Sequence, residues 1–83
     1  MKQSTLRVFK DRTEWHLNDK RHKEDGPALE WYNGDKLWYI NDKRHREDGP
    51  AVERANGDKE WWLNGERLFE ADFNDRAQVT GTP

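Results

Sequence analysis

Cysteine is absent from this 83-residue chain, which excludes disulfide staples and thiolate metal sites. Long apolar runs are absent too. None approaches the ~20 residues that a bilayer-spanning helix needs, and the N-terminus has no apolar signal-peptide core, so the expected location is the cytoplasm. A dominant charge sign is missing: 15 basic and 17 acidic residues leave a formal net charge of −2. With the signs interleaved, no global field draws the chain to nucleic acid or membrane. Hydrophobic residues are scarce, 31% against 39% charged, a balance that on its own reads as disorder. A chain this short also buries only about 60–65% of its unfolded surface, so a lone core is marginal. What the chain does have is tryptophan. Of its five copies, Trp15, Trp38 and Trp61 recur in register instead of scattering.

That register is an internal repeat. Trp15 to Lys36 reads W-H-L-N-D-K-R-H-K-E-D-G-P-A-L-E-W-Y-N-G-D-K, and Trp38 to Lys59 reads W-Y-I-N-D-K-R-H-R-E-D-G-P-A-V-E-R-A-N-G-D-K. The two align without a gap at a period of roughly 23 residues, a spacing that signals stacked repeats. A third copy opens at Trp61-Trp62-Leu63-Asn64-Gly65 and fades after Arg67. A degenerate half-copy comes first, with Leu6, Phe9 and Asp11 where Leu29, Tyr32 and Gly34 fall later. The single domain 1–83 thus divides into a half-repeat over 5–14, repeats over 15–37 and 38–60, and a partial repeat over 61–68.

Within each copy the signals are those of short strands. Leu6 to Phe9 and Thr13 to Leu17 alternate apolar and polar. Asn18-Asp19, Asn41-Asp42 and Asn64-Gly65 are two-residue hairpin connectors, and Asn33-Gly34 and Asn56-Gly57 carry the strongest short hairpin signal. The runs ending D-G-P, at Lys23 to Pro27 and Arg46 to Pro50, are wider bends. Asp opens such a turn, Gly accepts positive φ, and Pro sets an extended exit. After Arg67 the spacing changes: Phe69, Phe73 and Ala77 fall four apart, with Glu70 and Asp72 early, which predicts a capping helix over 69–78 and a loose tail over 79–83. The expected fold is all-β, an antiparallel meander of about 2.5 repeats with a short C-terminal α-helix.

Two-residue turns throughout would set the register and therefore the faces. Leu29 would lie opposite Trp38, and Glu30 opposite Leu37. One face would then carry Leu6, Trp15, Leu17, Leu29, Trp38, Ile40, Val52, Trp61 and Leu63, the expected core. The other would carry Glu14, His16, Glu30, Leu37, Tyr39, Glu53, Glu60 and Trp62, with cross-strand pairs His16–Arg21, Tyr39–Arg44 and Trp62–Arg67. A single-layer ribbon cannot bury its apolar face alone, so sheet curling, the helix or a second subunit is expected to cover it, and a homo-oligomer follows.

At these residues the chain resembles a known family. W-W-L-N-G-E-R and W-Y-I-N-D-K-R-H look like the G-x-W-x-N-G-K-x-H-G element of MORN repeats, and H-R-E-D-G-P-A looks like the MORN-like variant of phage and bacterial proteins. The resemblance covers Trp15 to Arg67. The motif's tryptophan falls on Trp62, with His16 and Tyr39 in the earlier copies, and its histidine on His22, His45 and then Leu68. The glycine after histidine is replaced by a charged bend, a departure from the form for which lipid or membrane binding is reported. The resemblance implies an elongated β-repeat used for binding, without catalysis. It further implies a phage-type module in the host cytoplasm that binds and inhibits a host protein such as a toxin or defence factor.

The remaining motifs fit that reading. His22 and His45 are expected to be structural, as are Trp15, Trp38 and Trp61, because Leu68 stands where a third histidine would and can neither bind metal nor move a proton. Glu24-Asp25 and Glu47-Asp48 could serve two-carboxylate chemistry, but in a D-G-P bend such pairs more often cap the turn. No serine or cysteine is paired with a histidine and no phosphate loop is present. Neither an enzyme, a metal nor a cofactor is therefore expected. The expected partner-binding residues are His16, Arg21, Tyr39, Arg44, Trp62 and Arg67. Arginine beside aromatic rings suits a protein interface. The alternative partner is RNA, through Lys20-Arg21-His22 and Lys43-Arg44-His45 with stacking rings. Lipid binding, as in other MORN repeats, is the further alternative.

Overall fold

The structure, a computed structural model, describes residues 3–81. Alternation and turn chemistry produce ten short strands: β1 (Thr5–Val8), β2 (Arg12–Leu17), β3 (Lys20–Arg21), β4 (Leu29–Trp31), β5 (Lys36–Leu37), β6 (Tyr39–Ile40), β7 (Lys43–Arg44), β8 (Val52–Glu53), β9 (Lys59–Leu63) and β10 (Glu66–Leu68). Helix α1 (Glu70–Gly81) follows. Every pairing is antiparallel. The main sheet runs β1-β2-β4-β5-β8-β9-β10 with β3 on β2, and β6-β7 forms a separate ribbon. The expected β-meander with a short C-terminal helix is therefore the architecture. The molecule measures 42 × 36 × 17 Å.

Two turn types set the register. At Asn18-Asp19, Asn41-Asp42 and Asn64-Gly65 both central residues have positive φ, from 51° to 82°, the two-residue turn that matches strand twist. His16 therefore pairs with Arg21, Tyr39 with Arg44 and Trp62 with Arg67, as expected. Asn33-Gly34 and Asn56-Gly57 behave differently. Trp31 donates its N–H to Asp35 O (2.9 Å) and accepts that of Gly34 (3.0 Å), and Arg54 does the same with Asp58 and Gly57 (2.8 and 2.9 Å). These are three-residue loops, with Gly34 (φ 107°) and Gly57 (φ 97°) supplying the left-handed residue that closes them.

One extra loop residue overturns the expected face assignment. Leu29 lies opposite Leu37 rather than Trp38, and Glu30 opposite Lys36 rather than Leu37. Leu37 in turn lies opposite Val52, and Val52 opposite Glu60. Leu29 and Val52 thus join Leu37 and Tyr39 on the arginine face, and there they form the core: Leu29, Leu37, Tyr39 and Val52 are buried, with Ala28 in the same cluster and Trp15, Trp31 and Trp62 packed against it. The expected core face, with Leu17, Trp38, Ile40, Trp61 and Leu63, is only half-buried, and Leu6 is exposed.

Ala28 and Ala51 are fully buried for a backbone reason. Ala28 accepts from Trp15 N–H (2.7 Å) and donates to Leu37 O (2.9 Å), so it is clamped between two strands; Ala51 is clamped likewise between Trp38 and Glu60 (both 2.8 Å). A larger side chain in such a close-packed position costs about 1–3 kcal/mol.

Helix α1 packs on β9 and buries Phe73, whereas Phe69, just before it, is 83% exposed. Ala77, the third expected contact, has a side chain outside the described set. The expected tail is corrected in part: Val79, Thr80 and Gly81 are helical, and residues 82 and 83 lie outside the described range. Val and Thr cost a helix only about 0.5 kcal/mol each relative to Ala, so the first real stop is Gly81. Among the described residues no helix is long and apolar enough to cross a membrane.

Candidate functional site

The arginine ladder exists, but its stacking runs between repeats. The Arg21 guanidinium lies 5.4 Å from the Tyr39 ring centroid and that of Arg44 lies 4.9 Å from the Trp62 ring, each aromatic belonging to the next copy. The cause is the way the hairpins stack. Asp42 N–H donates to Arg21 O and Gly65 N–H to Arg44 O, both at 2.9 Å, so the return strand of one hairpin lies beside the next hairpin. The Asp42 carboxylate tightens the first of these joints by accepting the Arg21 N–H at 2.7 Å. Each cation–ring contact is worth about 0.5–1 kcal/mol where exposed.

This arrangement changes what the ladder can offer. Tyr39 is 7% exposed and belongs to the core. His16 is largely buried and directs Nε2 at the Glu14 carboxylate, 2.7 Å away. Its Nδ1 is buried without a hydrogen-bond partner among the described residues. Trp62 is half-buried and donates Nε1–H to Glu60 (2.9 Å), leaving Arg67 exposed at the end of the row. Of the six expected partner contacts, Tyr39 and His16 are thus taken up inside the molecule.

Two carboxylates expected on this face but not among the partner-binding residues, Glu14 and Glu60, hold its ends. Glu14 accepts from Arg12 Nε (2.5 Å) and lies 3.5 Å from Arg21 Nε. Burial pushes its carboxyl up, but the hydrogen bonds from Arg12 and His16 and the charge of Arg21 more than reverse this, so it sits below the usual carboxylate value. Glu60 follows the same pattern: burial raises it, and Arg54 (2.9 Å) and Trp62 bring it below the usual value. Alternation marked both as solvent-facing, since a paired carboxylate and a solvated one look alike in sequence.

His22 and His45 connect repeats. His22 Nδ1 accepts the N–H of Asn41 (3.2 Å) and His45 Nδ1 accepts that of Asn64 (2.9 Å), so the ring proton sits on Nε2, which faces Glu24 or Glu47 at 3.2 Å. Both acceptors serve the first residue of the next tight turn. Among the described residues no group of three or more His, Cys, Asp or Glu is placed to hold a metal ion.

The opposite face carries Trp15, Trp38 and Trp61, one from each copy. Lys23 Nζ lies 3.8 Å from the Trp15 ring centroid, and the Arg46 guanidinium 4.0 Å from that of Trp38. Each cation comes from the charged bend of its own repeat and covers an otherwise open indole. Between the two bends runs an open groove of about 770 Å³, with Trp38 and Ile40 among its lining residues. No known family, curated protein or solved structure matches this chain.

Proposed function

We propose that the chain is a non-enzymatic repeat module that binds a protein, and that its working surface is the tryptophan face. One observation carries this reading. Leu17, Trp38, Ile40, Trp61 and Leu63 are only half-buried, while the buried cluster of Leu29, Leu37, Tyr39 and Val52 lies on the other face of the sheet. Apolar side chains that their own chain leaves partly uncovered favour a partner site, and tryptophan is a typical interface anchor. The RNA alternative loses its main support, because Arg21 and Arg44 are stacked on Tyr39 and Trp62 and Tyr39 is not open to a base. A MORN-like ancestry and a host protein as partner remain part of this proposal.

The test is capture from bacterial lysate on the immobilised chain, with and without ribonuclease. A protein retained at one copy per chain after ribonuclease supports the reading. Retention of nucleic acid alone overturns it in favour of RNA. Scattering that shows a stable dimer with no retained protein would reassign the face to self-association.

A further inference from the structure

We infer that the groove between the two charged bends docks an extended lysine- or arginine-rich segment of the protein partner, an assignment that rests on the binding-module reading above. The groove joins two chemistries. Its floor is apolar, with Trp38 and Ile40 half-exposed, and its walls are the bends Lys23–Pro27 and Arg46–Pro50. Those walls set four carboxylates, Glu24, Asp25, Glu47 and Asp48, against two cations, Lys23 and Arg46. The carboxylate side chains are 79–85% exposed. Each is met by a group of its own repeat, His22, Lys23, His45 or Arg46, through one oxygen. The uncompensated charge is negative, so the groove attracts cations and repels phosphate.

The groove also shows how it holds a cation. Arg46 lies over the Trp38 ring, its Nε donates to Asp48 (2.9 Å), and its Nη1 donates to Glu53 and Pro50 O (both 3.0 Å). Lys23 repeats the arrangement on Trp15, with Asp25 at 3.3 Å. Both indoles are thus taken by the chain's own cations, so an incoming lysine or arginine head would meet the exposed carboxylates, and the side chains that alternate with it would meet the apolar lining. The third copy breaks the pattern, since Phe69 stands in the place of Lys23 and Arg46, and Ala71 in that of Asp25 and Asp48. The groove therefore occurs once, and one segment should bind per chain.

The probe is a fluorescein-labelled ten-residue peptide alternating arginine and leucine, titrated with the full chain and followed by anisotropy. The expected result is one peptide per chain, no binding of the matched glutamate–leucine peptide, and affinity that falls as salt rises. Glu24→Gln with Glu47→Gln should weaken binding at least tenfold, because glutamine keeps an acceptor for each histidine and removes the charge. Glu70→Gln with Asp75→Asn removes the same charge away from the groove and should change little. Equal loss in both double variants overturns the proposal as nonspecific attraction. So does binding of a ten-nucleotide oligouridine in place of the peptide. Failure of the peptide while a ribonuclease-resistant protein still binds the chain removes only the groove assignment; failure of both removes the binding-module reading.

Discussion

The middle repeat and the end copies follow one backbone plan but meet different neighbours. Leu37 lies between Leu29 and Val52 on the two adjoining strands, so its place is dry and apolar. The same position in the end copies is Glu14 and Glu60. Glu14 has Leu29 on one side and Arg7 of the exposed strand β1 on the other. Glu60 has Val52 on one side, and α1 follows where another repeat strand would have come. Glu14 is itself buried, so a carboxylate fits there because Arg12, His16 and Arg21 wrap it, whereas apolar neighbours on both sides fit leucine in the middle. The second contrast is His22 and His45 against Leu68. The histidines receive an amide from the next hairpin, and after Leu68 the chain turns into α1. A residue in such a stack answers to the adjacent copy as much as to its own.

The largest effect should come from making the middle resemble an end. Leu37→Glu places a carboxylate between Leu29 and Val52, where neither facing residue offers a hydrogen bond. Losing a buried leucine costs about 2–5 kcal/mol, before the penalty for the buried charge. Small domains are stable by only about 5–15 kcal/mol, so urea unfolding should find the variant largely or wholly unfolded. Glu14→Leu should be milder: Arg12 and Arg21 are partly solvated and can turn to water, and the cost is the lost partner of the largely buried His16. If Leu37→Glu unfolds at the wild-type urea concentration, the contrast between an apolar middle and arginine-wrapped ends is wrong.

A moderate effect should separate the histidine position. His45→Leu removes the acceptor of the Asn64 N–H, an exposed hydrogen bond, and should cost about 0.5–1.5 kcal/mol, the net worth of one such bond. Leu68→His should stay within about 0.5 kcal/mol, as for a surface change with no hairpin to serve. The presence of leucine at 68 shows that histidine is dispensable there, not at 45. Equal urea midpoints for the two variants would break the argument.

These contrasts also mark what was legible in the chain. The meander, the turn positions and the pairs Tyr39–Arg44 and Trp62–Arg67 could be read because Asn-Asp and Asn-Gly mark where the chain reverses. The face of Leu29 and Val52 could not. Asn-Gly serves a two-residue turn and also the last two places of a three-residue loop, and local groups decide between them. Asn33 Oδ1 accepts the Asp35 N–H (3.0 Å), Asn56 Oδ1 accepts that of Asp58 (2.9 Å), and Asp35 Oδ1 reaches the Ala55 N–H of the neighbouring loop (2.7 Å). The last contact joins copies, and one copy read alone does not contain it. The candidate groove was hidden for the same reason. Glu24-Asp25 and Glu47-Asp48 each look like turn caps until two bends are set side by side over Trp38.

The smallest effect tests whether one position in two copies can answer with opposite signs. Asp19 and Asp42 both occupy the second place of a tight turn, at φ 64° and 66°, where Gly65 stands in the third copy. An L-residue in this region costs roughly 1–2 kcal/mol, somewhat less for Asp. Glycine relieves that strain but adds freedom to the unfolded chain worth about 0.4–1 kcal/mol. In the first copy the Asp19 carboxylate, among the described residues, meets Arg7 in an exposed contact of 3.3 Å that contributes little. Asp19→Gly should therefore be neutral or stabilising by a few tenths of a kcal/mol. In the second copy the Asp42 carboxylate receives the Arg21 N–H at 2.7 Å and fastens one hairpin to the next. Losing that acceptor costs about 1–2 kcal/mol, more than the relieved strain returns, so Asp42→Gly should be destabilising. For a domain of this size 1 kcal/mol corresponds to about 4–8 °C in Tm, which circular dichroism resolves. If both variants shift Tm in the same direction by the same amount, the Asp42 joint carries no stability, and the hairpins are held together by their backbone bonds and stacked arginines alone.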